Sequence, residues 1–393
     1  MSGRLPSSAW KSFPVCVKEL RIDITLACGQ SFRWKELKPG EWTGVIKDEV
    51  WKFKQTSTEL FYQVFRRGTI IDNNINTNLS LNGNIKTIDV KPVIKKEILT
   101  ISTEKLKGSS KKRKNTTTCP QPPKKLVLEL KTEPFIEDKD IQTIQDYFQL
   151  NINLTQLYKK WAEADSNFEE ISTNFPGIRI LHQDPVENLF SFICSSNNHI
   201  SRITSMVNHL CVNFGEEICE VDGQMYYQFP AISKLAADDI EQKLRDLGFG
   251  YRAKYINQTS KYIANNHTNE WLYSLRSLPY KDVKKALMKL CGVGAKVADC
   301  VCLMSMDQPG SIPVDTHVWQ IAAGHYMPKL NDSKSLTDKL YDEIGDYFRG
   351  LWGEYAGWAH SVLFTADLKK FQDKFDSKRK VQNSKSKSKT KVK

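Results

Sequence analysis

Residues 290–296 read Leu-Cys-Gly-Val-Gly-Ala-Lys, and Asp315 follows Lys296 by nineteen positions in the run Pro313-Val314-Asp315. Two glycines, an amine and a carboxylate in that order can supply bare backbone N–H groups, a nucleophile and an anion. Gly292 and Gly294 let the chain turn tightly and leave amides uncovered at a helix start, a seat for a phosphate that reads no base. Lys296 falls in the first turn of the following helix, where the macrodipole is positive and disfavours the ammonium form. A free lysine with pKa about 10.4 is neutral in roughly one molecule in 2500 at pH 7. Lowering that value by ~3 units corresponds to about 4 kcal/mol of differential interaction and yields a usable amine nucleophile.

The elements that must position these groups can be read from periodicity. Tyr280–Leu290 and Ala295–Met306 both carry apolar residues at helical spacing, which predicts two helices joined by the glycine hairpin. Twelve helical residues from Ala295 advance the chain about 18 Å, and the eight residues 307–314 can span up to roughly 26 Å, so the loop can return Asp315 to the side of Lys296. Asp315 precedes Thr316-His317-Val318-Trp319-Gln320-Ile321, a further predicted helix, and is placed as its N-cap. On residue types alone, capping accounts for Asp315 as well as chemistry does. A Gly-Val-Gly turn with a nearby lysine also occurs in DNA-binding hairpins that do no catalysis.

The signature Gly292-Val293-Gly294-Ala295-Lys296-Val297-Ala298-Asp299-Cys300, followed by Val314-Asp315-Thr316-His317, resembles that of eukaryotic 8-oxoguanine DNA glycosylase/AP lyases of the helix-hairpin-helix superfamily. Further matches are Cys28-Gly29-Gln30-Ser31-Phe32-Arg33-Trp34, Gln183-Asp184-Pro185, Phe192-Ile193-Cys194-Ser195-Ser196-Asn197-Asn198, Gly248-Phe249-Gly250-Tyr251-Arg252-Ala253 and Trp352-Gly353-Glu354-Tyr355-Ala356-Gly357-Trp358-Ala359. They stand in the family's order along most of the chain.

The resemblance implies a bifunctional enzyme that excises 8-oxoguanine opposite cytosine. Lys296 attacks the sugar and forms a Schiff base that undergoes β-elimination, and Asp315 stabilises the developing positive charge. It implies that Gly29, Cys300, His360 and Phe364 surround the extruded base. Asn197, Arg202, Tyr251 and Arg252 fill the gap and meet the estranged cytosine, and Gly292, Gly294 and His317 hold phosphate. The expected partner is double-stranded DNA containing 8-oxoguanine or abasic sites, bound by a monomer without cofactor or catalytic metal.

Two positions depart from the family. His360 stands where glutamine follows Gly-Trp-Ala, and Cys291 where hairpins often have proline. Neutral imidazole offers one donor and one acceptor at angles unlike those of an amide, and its protonated form offers no acceptor, so lesion choice or its pH dependence can differ. Two alternatives follow, a broader oxidised-purine glycosylase and a catalytically silent helix-hairpin-helix DNA-binding protein.

Charge qualifies the DNA reading. The net charge is +12, but residues 91–126 carry +9 and residues 377–393 carry +8, which leaves the other 340 at −5. The basic surplus lies in segments too poor in apolar residues to fold alone, suited to salt-sensitive, sequence-blind attraction. Lys111-Lys112-Arg113-Lys114 and Lys378-Arg379-Lys380 resemble nuclear import signals, and residues 1–18, with three basic residues, four serines and no acid, are compatible with a mitochondrial presequence. No run of eighteen apolar residues predicts a membrane span. The nine cysteines contain no CxxC pair and read as reduced thiols; none follows Cys302, where endonuclease-III-like relatives carry four for an iron-sulfur cluster.

The predicted class is α+β. An N-terminal antiparallel sheet domain spans 10–137, with strands over 20–65, a disordered Asn-rich and basic insert at about 70–124 and a further strand at 126–130. A helical domain in two parts spans 138–375 and holds the helix-hairpin-helix at about 280–306, and a basic tail occupies 376–393.

Overall fold

The computed structural model describes residues 9–67 and 138–372. The predicted insert, the strand at 126–130 and the basic tail lie outside the described residues.

Five strands, β1 (Lys11–Pro14), β2 (Lys35–Lys38), β3 (Glu41–Ile46), β4 (Glu49–Gln55) and β5 (Glu59–Phe65), form one antiparallel sheet in the order β1-β5-β4-β3-β2. Register puts Trp42 opposite Phe53 and Phe53 opposite Tyr62 on one face, and Val45 opposite Val50 and Val50 opposite Phe65 on the other. Because side chains alternate across a strand, the sheet is apolar on both faces. The first face packs on Ile144, Tyr147, Phe148 and Leu181, while the second packs on Ile218, Cys219, Val221 and Tyr226.

The helices are α1 (Ile22–Thr25), α2 (Lys139–Tyr147), α3 (Leu154–Ala164), α4 (Ser166–Ser172), α5 (Pro185–Ile193), α6 (Ile200–Phe214), α7 (Ile232–Leu235), α8 (Ile240–Asp246), α9 (Arg252–Asn266), α10 (Trp271–Ser274), α11 (Tyr280–Leu287), α12 (Ala295–Ser305), α13 (Thr316–Ile321), α14 (Asp338–Trp352) and α15 (Ala356–Asp367). Capping side chains mark several starts: Asp138, Asn153, Asp184 and Thr337 each accept an amide of the first turn. No helix among the described residues is long and apolar enough to cross a membrane.

Two predictions of local structure need correction. Residues 20–34 are not strand: they form α1 and a loop, and Ile24 of the helix with Cys28 and Phe32 of the loop enters the helical core. Their alternating apolar residues are buried between two layers, so period alone could not separate strand from loop. The stretch after Lys139 is also not wholly helical, because β6 (Glu217–Val221) and β7 (Gln224–Tyr227) form an antiparallel hairpin. Its turn residues Asp222 and Gly223 both have positive φ, 51° and 77°, the geometry that an Asp-Gly pair favours between right-twisted strands. Lys52 on β4 reaches Asp222 at 2.8 Å and ties this hairpin to the sheet.

Polar anchors lock the N-terminal loop to the helices. Gln30 donates to the Arg179 carbonyl at 2.8 Å and accepts the Leu181 amide at 3.0 Å, and Arg33 pairs with Glu187 at 3.0 Å. The buried Arg179 gives its donors to the Glu19 carboxylate and to the carbonyls of Gln149 and Ile152, each at 2.7 Å. A buried guanidinium is tolerated only when its donors are met in this way.

Candidate active site

α11 and α12 are the predicted helix pair. Gly292 turns the chain with φ +80°, a conformation that side chains resist, and a Cβ there would lie 2.5 Å from the Tyr255 ring. Gly294, by contrast, is extended (φ −91°, ψ −177°) and could hold any residue conformationally. Its contribution is absence: as the α12 N-cap it offers no side-chain acceptor, so the first amides of the helix stay uncapped. Cys291 takes the place of a turn proline, with its carbonyl held by Thr259 Oγ1 at 2.8 Å and its Sγ 3.1 Å from Gln258 Oε1.

Lys296 leaves the first turn of α12 into a cavity of about 460 Å3, mouth included, lined among others by Cys28, Gly29, Phe192, Cys300, Asp315, His360 and Phe364. Its Nζ stands 5.2 Å from the centroid of Phe192, a cation–π distance. Asp315 reaches the same cavity from the start of α13, which it caps by accepting the Val318 amide at 3.0 Å. Capping and cavity-lining therefore coexist in one carboxylate.

Gly29 also lines the cavity, in the left-handed region at φ +87°, with Ile200 Cδ1 3.1 Å from where a Cβ would sit. Burial pushes the Cys300 thiol up to about 11 against the opposing pull of the Lys296 charge, so the sulfur is a neutral apolar wall. His360 is 6% exposed and neither ring nitrogen has a partner among the described residues. Burial drives its pKa down to about 4; the Lys296 charge adds to that and Asp315 opposes it. The ring is therefore neutral at ordinary pH. It lies 6.3 Å from the Phe364 ring at 28°, and Phe364 in turn meets His317 edge-on at 6.0 Å.

Residues 12–189 match the model for the 8-oxoguanine DNA glycosylase N-terminal domain, and residues 190–345 match that for HhH-GPD superfamily base excision DNA repair proteins. The chain thus carries an 8-oxoguanine DNA glycosylase N-terminal domain followed by an HhH-GPD base excision DNA repair domain. It is 43% identical over 225 residues to the N-glycosylase/DNA lyase OGG1 of Arabidopsis thaliana, covering 57% of this chain and 61% of that one. Identity to the N-glycosylase/DNA lyase of Saccharomyces cerevisiae is 43% over 250 residues, 57% of this chain and 66% of the yeast protein. The matches thus span somewhat less than two thirds of the length of these relatives. A Clostridium acetobutylicum 8-oxoguanine glycosylase/lyase, solved with double-stranded DNA containing cytosine opposite 8-oxoG, shares the fold at TM-score 0.64 and 24% identity, over 92% of this chain and 98% of that one.

A second cluster of residues that the family resemblance singles out lies outside the cavity. Tyr251 Oη donates to the Ser196 carbonyl at 3.0 Å while the residue as a whole is 45% exposed. Asn197 holds a left-handed φ of 46°, and Arg202 reaches the Gly248 carbonyl at 3.4 Å. Arg252 differs from its expected outward role: it is 4% exposed and its guanidinium is committed to the carbonyls of Ser196 and Asn197, the latter at 3.0 Å. His317 lies exposed on α13 beside Asp367, 2.9 Å away. Phe192 and Cys28 line the cavity from within the sequence motifs, while Asp299 of the same motifs is buried behind it; nothing local in the sequence marks which residues of a motif reach a cavity.

Proposed function

We propose that this chain is a bifunctional DNA glycosylase and AP lyase that removes 8-oxoguanine opposite cytosine from double-stranded DNA. The observation that carries the reading is that Lys296 and Asp315, supplied by two different helices, line one cavity with Gly29, Cys300, His360 and Phe364. The amine attacks C1′ of the extruded nucleoside, and the bond to the base breaks with its electron pair leaving on the base, which takes up a proton. Opening of the sugar ring gives a Schiff base on Lys296. Loss of a C2′ proton then expels the 3′ phosphate.

Asp315 stabilises the positive charge that develops on the sugar, an effect strengthened where water is excluded. Cys300 and Phe364 line the same cavity and would lie against the two faces of the base, and the Gly29 carbonyl accepts from N7–H, a donor present in 8-oxoguanine and absent from guanine. An acceptor left unmet by guanine makes that one bond discriminating. Extrusion costs a few kcal/mol and leaves a gap, which Asn197, Arg202 and Tyr251 fill. Arg252 meets the cytosine only after releasing the Ser196 and Asn197 carbonyls. The uncapped amides of the first turn of α12, after Gly294, with His317, hold phosphate without reading sequence.

One observation favours the broader reading, an oxidised-purine glycosylase. His360 lines the cavity with two unpartnered nitrogens, which would offer a base edge one donor and one acceptor, a pattern that more than one oxidised purine satisfies.

Borohydride trapping on an 8-oxoguanine·cytosine duplex tests the proposal. Wild type forms a covalent adduct and Lys296→Gln does not. Equal yields would refute the nucleophile, and no adduct from either would favour a DNA-binding scaffold without catalysis.

A further inference from the structure

Asp299 sits on α12 three residues after Lys296 and is completely buried. Its Oδ1 accepts from Tyr280 Oη at 2.6 Å and lies 2.9 Å from Ser311 Oγ; its Oδ2 accepts from Lys284 Nζ at 2.9 Å and from Tyr341 Oη at 2.5 Å. Tyr280 and Lys284 belong to α11 and Tyr341 to α14, so one carboxylate joins both helices of the hairpin motif to a third. The Tyr341 oxygen, having given its proton to Asp299, lies 3.3 Å from the Val314 amide and accepts it. On the far side of the same loop the Gly357 amide donates to the Pro309 carbonyl at 2.9 Å, and a Cβ on Gly357 would lie 2.3 Å from the Ser311 carbonyl. Segment 309–314 is thus held at Ser311 and Val314 by a group rooted on the helix that carries Lys296, and Asp315 is the next residue.

A buried carboxylate with a lysine and three hydroxyls loses its hydration, and an apolar cluster of equal volume is commonly as stable or more so. Stability alone therefore gives little reason for this arrangement. We propose that Asp299 is a positioning residue: through Tyr341 and Ser311 it references the loop end to α12 and so fixes where the Asp315 carboxylate stands relative to the Lys296 amine. The inference rests on reading Lys296 and Asp315 as the reacting pair. Small misplacements of reacting groups cost rate steeply, whereas DNA affinity depends on the hairpin and phosphate contacts and is separable.

The test uses Tyr341→Phe in the full chain, which leaves Asp299 three partners, and Ser311→Ala as a milder second variant should the first fold poorly. Single-turnover base release on an 8-oxoguanine·cytosine duplex is measured alongside Kd for a tetrahydrofuran-site duplex and amide exchange over 314–318. Release is expected to fall on the order of 10- to 100-fold, with Kd within about twofold, and the Val318 amide to exchange faster while the sheet is unchanged. In an Asp315→Asn background the same substitution should add no further loss, because the residue it acts through is already altered. A loss of equal size in both backgrounds, a loss traced to Kd, or unchanged exchange over 314–318 would overturn the proposal. Should wild type release no base, the catalytic reading fails, and the exchange measurement alone decides whether the network places Asp315.

Discussion

Asp315 Oδ1 accepts the backbone amide of Val318 at 3.0 Å while the same side chain lines the cavity that Lys296 enters. One carboxylate thus serves the fold and the proposed chemistry, and substitutions can separate the two. Asparagine caps about as well as aspartate. Asp315→Asn is expected to melt within ~2 °C of wild type yet excise 8-oxoguanine on the order of 100-fold more slowly. Asp315→Ala adds a loss of about 1 kcal/mol of stability to the same defect. Thermal melts beside single-turnover rates check both, and an Asp315→Asn variant of full activity would remove the electrostatic role.

His360 predicts two behaviours. With the folded ring neutral down to about pH 4 and the unfolded ring titrating near 6.5, the unfolded chain binds the extra proton between those values. Stability therefore falls as pH drops from 6.5 toward 4, by about 3 kcal/mol at full extent. His360→Gln should lessen that acid sensitivity in urea titrations at pH 5 and 7.5. Between pH 5.5 and 8 the excision profiles of wild type and variant should have the same shape. On a panel of lesion duplexes the variant should shift the preference for 8-oxoguanine over other oxidised purines by roughly tenfold, the scale of one altered polar contact. Identical preferences would show that the imidazole reads no base edge.

Gly292 gives a prediction about DNA grip. A methyl group there must accept φ +80° and a 2.5 Å approach to Tyr255. Gly292→Ala should destabilise by about 1–2 kcal/mol and weaken binding equally for lesion and undamaged duplexes. Gly294→Ala, in extended backbone with open space at its Cβ, should leave stability nearly unchanged. Melting curves and fluorescence anisotropy on both duplexes distinguish these outcomes.

His182 titrates in the opposite sense. Its Nδ1 lies 2.8 Å from Asp146 and its Nε2 3.2 Å from Asp307, and these carboxylates hold its pKa up to about 9. The stabilisation is complete below pH 6.5 and is lost as pH rises through 9. Because Asp307 follows the C-terminal end of α12, His182→Ala should flatten the alkaline side of the stability curve and loosen that end of the helix. Amide exchange at residues 304–308 at pH 7 and 9.5 checks it.

Much of the site could be read from local pattern. The hairpin helices, the Asp315 cap and the return of the loop to Lys296 follow from periodicity, capping chemistry and chain reach, all properties of residues near one another in sequence. The hairpin of β6 and β7 was legible in principle from Asp222-Gly223 between apolar runs, but the surrounding helical text masked it. The loop at 20–34 was not legible, since burial between two layers yields the same alternation as a strand.

By itself, the sequence determined which residue types stand at the hairpin, the amine, the carboxylate and the departures at Cys291 and His360, and hence the resemblance to 8-oxoguanine DNA glycosylases. Only the tertiary structure decided that His360 is neutral and unpartnered, that Arg252 turns inward, and that Asp299 ties the loop before Asp315 to three helices. The reason is physical: desolvation and hydrogen-bond satisfaction depend on which distant segments exclude water from a group, and on whose donors arrive there.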